Sequence, residues 1–162
     1  MIGWASTPYD PRWAYNHPYS SAKMSAAGPV SNLVPAFLAA MAIRIGLFTG
    51  VFFPPNSIDY AHVIEATGGG FIGTLAAFIN ILFSLNLLLF IFNLLPLPPL
   101  DGSGVVPFLL NESKARTYLE LVRNPSYTFI GIFIAWNLFD YVYSPLHLMF
   151  INLLFYPYAS YQ

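Results

Sequence analysis

The chain contains no cysteine, which excludes disulfides, iron–sulfur clusters and thiolate zinc sites. Charge is scarce: Asp, Glu, Lys and Arg make up 8% of residues, against about 25% in soluble domains. Six basic residues face seven acidic ones, for a net charge of -1. No basic face is available for nucleic acid, so that partner class is excluded. Histidine is limited to His17, His62 and His147, and no two of them stand four residues apart. An HExxH helix places two imidazoles on one face to bind zinc, with the Glu as general base. These 162 residues carry no such motif. The opening stretch also lacks a basic segment followed by an apolar run, so it is not expected to act as a signal peptide.

What is abundant is apolar surface. Hydrophobic residues make up 57% of the chain and aromatics 18%. A soluble domain of this length needs more charge to cover itself, so lipid is the expected solvent. The length suits one compact domain. Residues 1–29 hold Pro8, Pro11, Pro18 and Pro29 among Trp and Tyr residues. They read as an irregular interfacial arm, the layer amphipathic rings favour, or as a segment packed on neighbouring helices. A single membrane domain is expected over residues 30–162.

The first span is expected near 30–53, starting at Gly28–Pro29 because Pro suits a first helical turn. Arg44 is its one charge and reads as a side chain snorkelling to the headgroups from near the helix end. A loop follows at 54–70. The second span, 71–95, is the clearest. No charge occurs between Glu65 and Asp101, and about 20 apolar residues suffice to cross a bilayer. Asn80, Asn86 and Asn93 lie inside it and are expected to face other helices, because unpaired amides are costly in lipid. Residues 105–124 read as an amphipathic surface helix. A third span is expected at 126–143. Residues 146–158, after Pro145, form a segment too short for an ordinary span and are expected to be re-entrant or interfacial. The predicted fold is thus an all-α membrane protein with about three transmembrane helices. Basic residues flank the first two spans on one side and are absent from the 54–70 loop. This places the N-terminal arm and the 101–125 segment in the cytoplasm.

The most specific stretch is Phe92 to Val106, FNLLPLPPLDGSGVV. A carboxylate, Asp101, sits where a long apolar helix breaks at Pro96, Pro98 and Pro99. Irregular backbone at membrane depth is tolerated only inside protein or beside a water-filled cavity. A carboxylate there is a candidate metal ligand or polar-network member; a solvated turn at the membrane edge is the plainer alternative. Gly102 and Gly104 allow the chain to turn closely around it. Asp59, His62 and Glu65 are spaced to share a helix face, but the orientation puts them on the other side of the membrane. His17 is on the side of Asp101 and could approach it. Ser103 has no His placed to activate it.

NLLPLPPLDG resembles the Asn-x-x-Pro-x-Pro-x-Leu-Asp-Gly signature of site-2 proteases, the intramembrane zinc metallopeptidases. The resemblance makes Asp101 the third zinc ligand and places Asn93 beside the substrate strand, with Pro96 and Gly102 in the same signature. Upstream, AAGPVSNL is similar to the family's Ala-Gly-Pro-x-x-Asn segment, with Gly28, Pro29 and Asn32 in register. IGWA, Ile2 to Ala5, resembles a short Gly-Trp-Ala strand, implying an extended element near residues 2–6. The HExxH helix that the family carries upstream is not here.

Two functions follow as expectations. One is a non-catalytic subunit, a protease-like scaffold without its catalytic helix, packed against the lipid bilayer and other integral membrane subunits, with no cofactor. The alternative is half of a split or truncated metalloprotease, with HExxH supplied by another chain and Asp101 completing the zinc site.

Overall fold

The structure is a computed structural model describing residues 10–59 and 62–161. Three of its helices are long and apolar enough to cross a membrane: Pro18–Thr49 (α2), Phe71–Leu94 (α3) and Pro125–Phe155 (α6). They make the chain an all-α integral membrane protein, as its composition requires. Around them lie the short helices α1 (Pro11–Asn16) and α4 (Asp101–Val105), a 3₁₀ turn (Val106–Leu109) and the surface helix α5 (Glu112–Val122). Two strands of two residues each, β1 (Phe52–Phe53) and β2 (Glu65–Ala66), pair antiparallel across the loop that follows α2.

α2 and α3 form the centre. The buried residues of α3 recur every three or four positions, at Ala76, Ile79, Asn80, Phe83, Leu87 and Ile91. That is the stripe a 3.6-residue period produces. It packs on Ala39, Ile43 and Leu47 of α2, with Tyr143, Ile151 and Phe155 of α6 in the same cluster. The outward faces stay apolar: Phe129, Phe133 and Trp136 of α6 are 75%, 71% and 80% exposed, a pattern that lipid accommodates and water does not.

Two helices are longer than expected. α2 begins at Pro18, not near Gly28, and carries Pro29 and Pro35 inside it. α6 runs unbroken through Pro145, so the stretch read as a separate short segment is the end of the third spanning helix. Proline removes one donor from a helix, yet packed spanning helices tolerate it because neighbours satisfy the freed backbone. Pro18 and Pro125 occupy the first turns of α2 and α6, where the missing donor is not needed. Gly50, at φ 72°, ends α2 in the left-handed conformation, which glycine adopts without strain.

The described part of the arm, residues 10–29, is accordingly helical and packed. Asp10 caps α1 by accepting from the Arg12 amide, Trp13 stacks on His17, and the Tyr19 hydroxyl donates to Leu110 O at 3.1 Å. The Arg116 guanidinium lies over the Tyr15 ring, 5.4 Å from its centroid. Packing onto α5 and the segment before it, rather than an irregular arm, describes this part. The extended element expected near residues 2–6 lies outside the described residues.

The loop between α2 and α3 is held from inside the bundle. Asn80, buried in α3, accepts from the amides of Val63 and Ile64 at 3.1 and 2.8 Å, and its Nδ2 donates to Ile64 O at 3.0 Å. It faces the loop backbone rather than another helix. Asn86 instead donates to Leu82 O within its own helix, at 2.8 Å. At the same end of the molecule, Arg44 Nη1 donates to Leu154 O at 3.0 Å and to Tyr156 O. A cation suits the negative end of α6; Arg44 therefore fastens α2 to the terminus of α6 as well as lying near its own helix end.

Candidate functional site

At the opposite end from Arg44, the chain leaving α3 folds back onto α2. Leu97 N bonds Leu95 O, Leu100 N bonds Leu97 O and Ser103 N bonds Leu100 O. This series of tight turns satisfies the backbone that Pro96, Pro98 and Pro99 interrupt. It delivers Asp101 as the first residue of α4.

Missing Cβ atoms fix where α4 lies. A Cβ on Gly28 would stand 2.0 Å from Asp101 Oδ2 and 2.9 Å from its Cγ. One turn earlier on α2, Ser25 Oγ occupies the space a Cβ on Gly104 would need, at 2.1 Å. The pairing of 28 with 101 and 25 with 104 runs α4 antiparallel to α2. A Cβ on Gly102 would meet Leu94 O and Leu95 O, each at 2.3 Å, so α4 also sits hard on the end of α3. From the third side, Gly131 of α6 admits the carbonyl of Pro98, which a Cβ there would meet at 1.8 Å. Small residues let helices and backbone approach this closely. All three spanning helices thus converge on the 95–105 segment.

The Asp101 carboxylate is half-buried, pressed into the notch at Gly28. No hydrogen-bond donor or cation among the described residues engages it. Burial pushes its carboxyl above the ordinary range, the direction expected when desolvation is uncompensated. Asn93, half-buried in the last turns of α3, likewise has a side-chain amide with no hydrogen-bond partner among the described residues.

The remaining predicted positions support the backbone. Pro29 is buried inside α2 and Pro96 is exposed. Asn32 Nδ2 and Ser31 Oγ both donate back to Gly28 O, at 3.4 and 2.6 Å. Gly102 is buried against α3. Ser103 Oγ is spent on Leu100 O at 2.8 Å, which gives it a structural bond and no base.

No imidazole joins Asp101. His17 sits at the start of α2 with Nδ1 3.0 Å from Trp13 O, eleven residues and so roughly 16 Å of helix rise before Gly28. His62 and Glu65 do approach each other, at 3.7 Å, and Asp59 accepts from the His62 amide at 2.7 Å. They do so in a loop rather than on a helix face, at the Arg44 end of the molecule. His147 stacks on Tyr143 with centroids 5.2 Å apart and lines a cavity of about 610 Å³ with Asp59 and Tyr161, at the same far end. Among the described residues no group of three His, Asp or Glu can hold a metal ion. A catalytic zinc takes three protein ligands; Asp101 offers one, so the described residues alone do not fit that ion.

Sequence reasoning singled out Gly28 and Asp101 separately. It missed Gly131 and Ser25, whose contacts hold the same segment; a lone Gly in an apolar span is the signal that could have pointed to the first.

The chain matches the sequence profile described as Peptidase family M50 over residues 5–138. It is 35% identical over 130 residues to a curated protein named "Putative zinc metalloprotease YwhC" from Bacillus subtilis (strain 168), an alignment covering 80% of this chain and 52% of that protein. The chain therefore spans about half the length of the curated relative it matches. No solved structure matches it significantly.

Proposed function

The chain belongs to peptidase family M50, the site-2 protease family, and from that premise we propose that it supplies the carboxylate side of an intramembrane zinc metallopeptidase centre. Asp101 is the one metal ligand it contributes. Two imidazoles come from an HExxH helix outside this sequence, on another chain or another segment. The observation that carries this reading is the state of the Asp101 carboxylate. It is half-buried, held against α2 in the notch left by Gly28, and engaged by no donor among the described residues. A partly buried charge normally finds a partner; a carboxylate kept bare and positioned is poised for a cation. The described residues then have clear tasks. Gly28, Gly102 and Gly131 set the position of the 95–105 segment, and Asn93 presents an amide with free donors and acceptor to an extended peptide.

A second reading is a non-catalytic subunit that packs within a larger membrane complex. It is favoured by the lack of a three-ligand group among the described residues and by the exposed aromatic face of α6. Cleavage of a membrane-embedded reporter peptide in cells expressing the chain from its own locus separates the two. The metallopeptidase reading expects Asp101→Asn to abolish cleavage while the protein accumulates normally. Equal cleavage with and without the Asp101 carboxylate overturns it. Under either reading the proposed topology has the N-terminal arm and the 101–125 segment cytoplasmic, because the flanking basic residues lie there.

A further inference from the structure

An apolar concavity lies away from Asp101, where α2, α3 and α6 leave a groove of about 500 Å³. Leu33, Ala36, Ala40 and Arg44 of α2 line it at helical spacing, with Leu87 of α3 and Leu153 of α6 opposite. Its volume falls in the range of small-molecule pockets, roughly 300–1,000 Å³. From Leu33 to Ile45 the groove follows α2 for roughly 18 Å, at 1.5 Å per residue. One leaflet of the hydrocarbon core is about 15 Å deep, half of ~30 Å. The groove is thus as long as one acyl chain is deep, and apolar side chains along its rim, Phe37 and Leu153 among them, are exposed.

Among the described residues that line it, Arg44 alone is charged. One guanidinium nitrogen, Nη1, is committed to the carbonyls of Leu154 and Tyr156, and Tyr158 lies against the group, its ring centroid 5.9 Å away. Nε and Nη2 have no hydrogen-bond partner among the described residues, and no carboxylate among them pairs with the cation. The side chain is exposed. Two fixed anchors hold the guanidinium at the mouth of an apolar slot, with no carboxylate among the described residues opposite its charge and planar donors left over. That combination matches a phosphodiester above an acyl chain, because guanidinium binds phosphate oxygens with directed, charge-assisted bonds.

We propose that this groove is a binding site for one anionic phospholipid, with an acyl chain along α2 and its phosphate on Arg44. The headgroup lies in the leaflet on the side of the loop between α2 and α3. A bare helix from a partner would fill the groove without answering the charge. The site stands apart from Asp101 and does not rest on the metallopeptidase reading.

The test uses the full chain reconstituted in nanodiscs of equal phosphatidylcholine and phosphatidylglycerol, then released and weighed by native mass spectrometry. The wild type is expected to retain one phospholipid, with phosphatidylglycerol enriched about tenfold (about 1.4 kcal/mol): both lipids offer a phosphate, but the choline cation of phosphatidylcholine opposes the charge of Arg44 and the glycerol headgroup does not. Arg44→Gln should retain both lipids equally, and Arg44→Lys should recover part of the preference. Ala40→Phe fills the groove without touching Arg44, and should lose the retained lipid while far-UV circular dichroism stays unchanged. Equal retention of the two lipids by the wild type, or undiminished retention by Ala40→Phe, overturns the proposal. The wild-type arm decides the matter even if Arg44 variants release the end of α6 and fail to fold.

Discussion

Gly28→Ala adds one methyl group where the structure has Asp101. The new Cβ would stand 2.0 Å from Oδ2 and 2.9 Å from Cγ, inside van der Waals contact for both atoms. Overpacking of this size costs roughly 1–3 kcal/mol. Against it runs a gain in helix propensity, since Ala is better than Gly by about 0.8–1 kcal/mol in a helix interior. The obstructing atoms end a short side chain rather than belonging to backbone, so the carboxylate can turn aside and the steric term sits at the lower end. The net change in the wild-type background is therefore a loss of roughly 0–2 kcal/mol. In an Asp101→Ala background the obstruction is gone and only the propensity gain, about 0.8–1 kcal/mol, is left. The same substitution should thus change sign, with a coupling of roughly 1–3 kcal/mol between the two sites. The four proteins of the cycle can be compared by dodecyl sulfate titration in lipid–detergent micelles, following helicity by circular dichroism. If Gly28→Ala has the same effect with and without the carboxylate, the close approach of α4 to α2 is refuted.

Gly131→Ala makes a harsher clash, because the atom met at 1.8 Å is the backbone carbonyl of Pro98, which cannot rotate away. A loss near the upper end of the overpacking range, about 3 kcal/mol, is expected. It should appear in the same titration together with faster proteolysis of the 95–105 segment. Asn80→Leu removes three hydrogen bonds to the backbone of Val63 and Ile64. At about 1 kcal/mol each, the loss is roughly 3 kcal/mol. Hydrogen exchange at those two amides should accelerate while the amides of the α3 core stay protected; unchanged exchange there would contradict the clamp.

The spans were legible because apolar run length is a composition signal. The second was expected at 71–95 and α3 is Phe71–Leu94. Helix boundaries were legible only where local chemistry decides them. Pro29 and Pro145 suggested a start and a stop, yet both lie inside helices. What overrides them is tertiary: Ser25 and Gly28 must be helical to receive Gly104 and Asp101, contacts that span more than 70 positions of sequence. The motif at 93–102 identified the carboxylate, and the resemblance identified its family. That the notch for it is cut in α2 at Gly28, and that α6 holds the turn through Gly131, are facts of packing that no local pattern encodes. Arg44 illustrates the same limit. Its position near a helix end was visible, but its bonds to Leu154 and Tyr156 depend on where α6 finishes.

Metal content tests the metallopeptidase account most directly. The chain, tagged at its own locus and purified from native membranes with whatever binds it, can be assayed for zinc by mass spectrometry and X-ray absorption. One zinc per chain is expected, with two imidazole nitrogens and one carboxylate in its coordination shell, and Asp101→Ala should lose the ion while the assembly survives. A wild-type assembly that holds no zinc, or one whose zinc is unchanged by Asp101→Ala, would contradict it.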